Sequence, residues 1–136
     1  MKYFFETYGC QMNKAESSSF EQLFLEHGWA AASGPETADF IVINTCSVRA
    51  TAESRIDGRL GFYTMLGRQR KKAGKPFTLA VVGCMAERLK EKLLEHPVVD
   101  IVAGPDAYRD LPRLIASVTA DELVKVEFAA QLELDA

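Results

Sequence analysis

Cysteine is scarce in this sequence, three in 136 residues, and histidine scarcer still at two. Cys-x-x-Cys does not occur, which counts against a structural zinc knuckle and a thiol-redox motif. Two histidines are too few for a His-rich metal site. An odd cysteine count argues against a disulfide framework and for a reducing, cytoplasmic setting. The opening Met1-Lys2-Tyr3-Phe4-Phe5-Glu6 meets an acid at once and lacks the basic-then-apolar order of a secretory signal. No apolar run reaches the ~18 residues that suggest a membrane span, so no membrane partner is expected. Gly-x-Gly-x-x-Gly and Gly-x4-Gly-Lys-Ser/Thr are both missing, which removes the usual phosphate-binding cues for a nucleotide or flavin module. A net charge of -3 does not suggest a polybasic nucleic-acid binder. No internal repeat is visible.

What is present is an ordinary globular composition, 48% hydrophobic and 26% charged. The length predicts one domain, which at this size can fold without a staple. Strand and helix signals alternate. Lys2–Tyr8 is aromatic-rich and ends at Gly9, which predicts a strand. Asn13–Glu26 predicts a helix with Phe20, Leu23, Phe24 and His27 at helical spacing and Gly28 as its stop. Ala31–Glu36 reads as a small-residue turn, with Trp29 packing after the helix. Asp39–Asn44 is nearly all apolar, as in a strand covered on both faces. Ser47–Lys72 predicts a long helix with Ala52, Ile56, Leu60 and Tyr63 on one stripe, weakened by Gly58, Gly61 and Gly67, which leave room for a kink. A basic turn, Lys71–Pro76, leads into a third strand at Phe77–Val82. A helix over Ala86–Glu95, with Leu89, Leu93 and Leu94 inward, precedes a short strand at Val98–Val102. Asp106 is a candidate N-cap for a helix running to Val118 with Leu111, Leu114 and Ile115 inward. Leu123–Phe128 is a candidate fifth strand. The expected organisation is one domain over 1–120 with a terminal strand or frayed tail at 121–136. The expected fold is α/β: an open parallel sheet of four to five strands with helices on both faces, a Rossmann-like or flavodoxin-like three-layer sandwich.

Each cysteine stands just past one of the predicted strands. Cys10 follows the first through Gly9, Cys46 the second through Thr45, and Cys84 the third through Gly83. In a parallel sheet all carboxyl ends share one edge, with neighbouring strands about 4.8 Å apart. Three residues past three strand ends can therefore meet in the crevice where such folds bind ligands. Three thiolates suit a soft metal centre, whether iron–sulfur, zinc or copper(I). The helix start after each cysteine would stabilise thiolate charge. An isolated buried cysteine is more often plain packing; three at matched places are not readily so explained.

The flanking residues add a family resemblance. Glu6-Thr7-Tyr8-Gly9-Cys10-Gln11-Met12-Asn13, Asn44-Thr45-Cys46-Ser47-Val48-Arg49, Val82-Gly83-Cys84-Met85-Ala86-Glu87-Arg88 and Val99-Asp100-Ile101-Val102-Ala103-Gly104-Pro105-Asp106 resemble, in order, motifs of the radical-SAM methylthiotransferases. The Gly-Cys-Gln-Met-Asn form is most like the MiaB branch, which acts on tRNA. The branches that act on a ribosomal protein or on threonylcarbamoyl-adenosine usually carry other residues after the first cysteine. The resemblance implies an N-terminal domain whose Cys10, Cys46 and Cys84 hold an auxiliary 4Fe-4S cluster with one iron left open for sulfur. It also implies a following radical-SAM domain with a second 4Fe-4S cluster and S-adenosylmethionine, a TRAM domain that holds RNA, and isopentenyl-adenosine in tRNA as substrate. This sequence has no Cys-x3-Cys-x2-Cys, so it is expected to be an isolated, monomeric N-terminal domain that cannot catalyse methylthio transfer alone.

Other residues carry weaker signals. Asn13 and Asn44 could orient the thiol loops or serve as Asx turns and caps, and Thr45 and Ser47 share that ambiguity. Arg49, Arg55, Arg59, Arg68, Arg70, Lys71, Lys72 and Lys75 face only Glu53 and Asp57 in their segment. That segment could touch RNA phosphates or be a solvated face, and no aromatic interleaving of RNA-reading type accompanies it. His27 and His96 are expected near helix ends, at the surface.

Overall fold

The computed structural model describes residues 1–8, 11–45, 50–83, 86, 89–104 and 110–119, with the side chains of 7–8, 11–18 and 50–54 outside that description. The elements run β1 (Lys2–Tyr8), α1 (Gln11–Glu26), β2 (Ala30–Ala31), a 3-10 turn at Pro35–Thr37, β3 (Phe40–Thr45), α2 (Ala50–Lys72), β4 (Thr78–Gly83), α3 (Lys90–Leu94) and β5 (Ile101–Ala103). A further helix, α4, covers 111–119. The five strands form one sheet in the order β2-β1-β3-β4-β5, and every pairing is parallel. From β1 the chain crosses to one side to make β2, then returns to the other side for β3. The β1/β3 boundary is therefore the topological switch point, where open α/β sheets leave a crevice at their carboxyl edge.

The central strands explain themselves. Every residue of β3 and β4 is buried, as near-continuous apolar runs must be when both faces are covered. The pleat sends alternate residues to two separate apolar clusters. Ile41, Ile43, Leu79 and Val81 pack with Ile56, Leu60, Tyr63 and Leu66 of α2 and with Leu93. Phe40, Val42, Ala80 and Val82 pack with Phe20 and Phe24 of α1 and with Leu111 and Ile115 of α4. Phe24 anchors an aromatic group, with ring centroids 5.1 Å from Tyr3, 5.3 Å from Phe40 and 5.8 Å from Trp29. Each such pair adds about 0.5–1.5 kcal/mol beyond its buried area.

Several expectations need correction. Ala30–Ala31, expected to run into a turn, is an edge strand: the Ala30 N–H donates to the Met1 carbonyl at 3.1 Å and the Ala32 N–H to that of Tyr3 at 2.7 Å. Two alanines carry no alternation, so only their backbone pairing reveals them. The candidate strand at 123–128 lies outside the described residues. The strand expected from Val98 begins only at Ile101, because the Asp100 carboxylate accepts from the Leu79 N–H at 2.9 Å. Leu94 is 48% exposed while Leu93 is buried; in a helix as short as Lys90–Leu94 only one stripe reaches the sheet. The long helix is continuous from Ala50 to Lys72, since its buried stripe outweighs three glycines of low propensity. At Gly67 a Cβ would stand 3.0 Å from the Phe77 ring, so a side chain there would press the ring aside.

Arg70 closes the amino edge of the sheet. It is buried (7% exposed). Its Nε donates to the Pro76 carbonyl at 2.9 Å, Nη1 to the Glu36 carbonyl at 3.0 Å, and Nη2 to Asp39 Oδ1 at 2.9 Å. Asp39 Oδ2 in turn accepts from the Lys2 N–H at 2.8 Å. One guanidinium thus ties the 3-10 turn, the entry to β3, the end of α2 and the entry to β4. Arg70→Met leaves two carbonyls and a carboxylate short of donors, and is expected to lower the unfolding free energy by about 2–4 kcal/mol. Urea titration of the two proteins measures it.

Candidate functional site

Three adjacent strands end on one row. Tyr8 of β1 pairs with Thr45 of β3, and Thr45 pairs with Gly83 of β4. These are the last residues of the three strands. With strands about 4.8 Å apart, the row spans about 10 Å. Cys10 comes two residues after Tyr8, Cys46 directly after Thr45 and Cys84 directly after Gly83. The three thiols themselves lie outside the described residues. What the fold contributes is their points of departure, side by side on the carboxyl edge and on both sides of the switch point. α1 begins at Gln11, directly after Cys10, so the positive end of its dipole lies at this edge.

Thr45 ties the end of β4 to Ala86. Its hydroxyl donates to the Val82 carbonyl at 2.8 Å and accepts from the Ala86 N–H at 3.2 Å. Val82 and Ala86, which precede and follow Cys84 in the chain, are thus bonded to one side chain. Thr45 is 1% exposed and Ala86 fully buried, so water does not compete for the bonds. Gly83 has φ of +109°, and a Cβ there would stand 2.0 Å from the Thr45 carbonyl oxygen and 3.1 Å from Asn44 Oδ1. No side chain fits. Asn44 is itself fully buried inside β3. Thr45 acts as a clasp between two strand ends.

A second polar group lies just below the row, on the face shared with α2. Glu6 Oε2 accepts from Arg59 Nε at 3.3 Å, and Glu6 Oε1 accepts from both Arg59 Nη2 and the Tyr63 hydroxyl. Arg59 Nη2 also reaches the Tyr63 oxygen at 3.1 Å. Tyr63 is fully buried. Burial first, then its hydrogen bond to the Glu6 carboxylate, pushes the phenol well above the usual tyrosine range, so it stays protonated. Hydrogen bonding to Glu6 raises the Arg59 guanidinium in the same way, against the smaller opposing effect of burial. No signal in the sequence singled out Glu6 or Tyr63 as a polar pair, because they stand far apart in the chain.

The basic segment is less uniform than its sequence suggests. Arg59 and Arg70 are committed to internal contacts, whereas Arg55, Arg68, Lys72 and Lys75 are exposed. Phe62 is 37% exposed with the Arg59 guanidinium 4.5 Å over its ring, an aromatic neighbour that the sequence reading did not expect. Arg49, Ser47 and the side chain of Asn13 are outside the described residues. His27 stacks on Trp29 with centroids 5.3 Å apart, and His96 lies 3.9 Å from Asp57 at the surface. Among the described residues, no group of three His, Cys, Asp or Glu side chains could hold a metal, and no helix is long and apolar enough to cross a membrane.

Residues 2–104 match the model of the uncharacterized protein family UPF0004. The chain belongs to that family. The matched stretch runs from β1 through β5 and includes positions 10, 46 and 84. The UPF0004 chain is also similar to proteins named tRNA-2-methylthio-N(6)-dimethylallyladenosine synthase. It is 50% identical to that of Treponema denticola over 121 residues, 88% of this chain and 26% of the relative. It is 49% identical to that of Bacteroides fragilis over 121 residues, 89% of this chain and 26% of the relative. With that of Porphyromonas gingivalis the identity is 42% over 131 residues, 96% of this chain and 28% of the relative. The chain thus spans about a quarter of the length of these relatives.

The Gly83 contact yields a direct test. Gly83→Ala must displace the Thr45 carbonyl and hold an alanine at positive φ. The expected loss is about 3 kcal/mol or more of stability, read as a lower urea midpoint. Thr45→Val, which keeps shape and removes the two hydrogen bonds, is expected to cost about 1–3 kcal/mol.

Proposed function

We propose that this chain is a cluster-bearing N-terminal domain, holding a 4Fe-4S cluster through Cys10, Cys46 and Cys84. In the complete protein it would serve the methylthiolation of isopentenyl-adenosine in tRNA. The observation that carries the reading is the common row of strand ends, each followed within two residues by one of the chain's three cysteines. The donor set fits the group: iron–sulfur clusters are held by cysteine thiolates, and three leave one of four irons without a protein ligand. When bound, the cluster supplies that open iron as a place to hold sulfur. The relatives' name supports the reaction, and their greater length supports radical-SAM and TRAM domains, with a second cluster and S-adenosylmethionine, in the remainder of the protein.

The chain's own residues have definable parts in this. Thr45 fixes Val82 and Ala86, on either side of Cys84 in the chain, relative to the strand that leads to Cys46. Gly83 permits the close approach of those two strand ends. α1 starts directly after Cys10, and the positive end of its dipole favours a thiolate and an anionic centre there. A reducing compartment such as the cytoplasm keeps the three thiols available.

Anaerobic reconstitution with iron and sulfide tests the reading. About four irons per chain are expected, with a broad visible absorption, and Cys→Ala at any of the three positions is expected to reduce iron content severely. Without added protein the chain is expected to show no methylthio transfer to tRNA. A colourless protein that binds zinc stoichiometrically, or one that instead binds a nucleotide at this edge, would contradict the proposal.

A further inference from the structure

We propose that Glu6, Arg59 and Tyr63 form a positioning brace that sets where the end of β1 before Cys10 stands relative to the start of α2 after Cys46. The inference rests on the reading of these thiols as one site. It starts from a weakness in the sheet. β2 pairs with β1 only at Lys2 and Tyr3. Beyond Tyr3, β1 has a partner strand on one side alone, β3, among the described residues. The end of β1 that leads to Cys10 is therefore the least supported of the three strand ends. β3, by contrast, lies between β1 and β4 along its whole length.

Glu6 sits in that singly supported half and takes its support from across the sheet face. By the pleat it shares a face with Phe4, which packs against the cluster that α2 covers. Its side chain is only 12% exposed. Both carboxylate oxygens accept hydrogen bonds from α2, and the two donors also bond each other. Burying such a group is no simple gain for stability, since an apolar residue of similar volume often serves as well. What hydrogen bonds add is direction: an apolar contact tolerates a slide of α2 along β1, whereas this closed set specifies one position. α2 is a continuous helix from Ala50, so its placement at Arg59 and Tyr63 is carried to Ala50, four residues after Cys46 in the chain. β1 carries the placement of Glu6 to Cys10, four residues on.

The test uses the metal-free chain with Cys84→Ala, which leaves Cys10 and Cys46 as the two thiols, and a short bifunctional thiol reagent as probe. Rapid intramolecular cross-linking is expected in this background. Glu6→Gln and Tyr63→Phe, each close to isosteric, are expected to slow it about fivefold or more, as a loss near 1 kcal/mol of positioning would. Asp39→Asn is the control, weakening the Arg70 contacts at the opposite edge; it is expected to lower the thermal midpoint comparably and leave the cross-linking rate unchanged. Equal rates in all variants, or a rate that follows the thermal midpoint whichever edge is altered, would overturn the brace. So would a background that does not cross-link. Iron uptake by the unaltered chain, measured in parallel, separates the two ideas. Cross-linking that depends on Glu6 without iron uptake keeps the brace and removes the cluster. Iron uptake with cross-linking indifferent to Glu6 and Tyr63 does the reverse.

Discussion

The shared last row of β1, β3 and β4 is the constraint on which the site depends. Parallel strands can end at any stagger, and a two-residue slip would move one loop by about 7 Å. Here Tyr8, Thr45 and Gly83 fall level. The level is defended locally: Gly83 leaves no room for a side chain against Thr45, and the Thr45 hydroxyl bonds both Val82 and Ala86. Because β1 and β3 flank the point where strand order reverses, helices leaving them diverge and keep the edge between them open.

The two edges of the sheet are secured by different means. At the amino edge one buried arginine, Arg70, gathers two carbonyls and Asp39. At the carboxyl edge the bonds are distributed among Thr45, Glu6, Arg59 and Tyr63. Both arginines come from the basic segment that, in sequence, looked like a surface for phosphates. A net charge or a local count of cations does not distinguish a buried staple from a solvated side chain. The exposed cations that remain on α2 are Arg55, Arg68, Lys71 and Lys72.

Much of this was legible beforehand. The apolar runs at 40–45 and 78–83 announced central strands, and the Ile56, Leu60, Tyr63 stripe announced the buried face of α2. The position of each cysteine one or two residues past a strand could be read directly, because strand ends are marked by Gly9, Thr45 and Gly83. The sequence could not reveal β2, whose two alanines have no pattern, nor the order of strands, which depends on which side each crossover takes. Nor could it pair Glu6 with Tyr63, since a polar contact between distant residues leaves no periodic trace. The flanking motifs carried more than the spacing did: four ordered segments pointed to methylthiotransferases, and the matching relatives are named tRNA-2-methylthio-N(6)-dimethylallyladenosine synthase.

The central claim is that three thiols hold four irons and leave one distinct. Mössbauer spectroscopy of the chain reconstituted anaerobically with enriched iron measures that directly. The account predicts a spectrum in which one iron site responds to an added external thiolate while the other three do not. Four sites that respond alike, or iron bound only as isolated ions without sulfide, would contradict it.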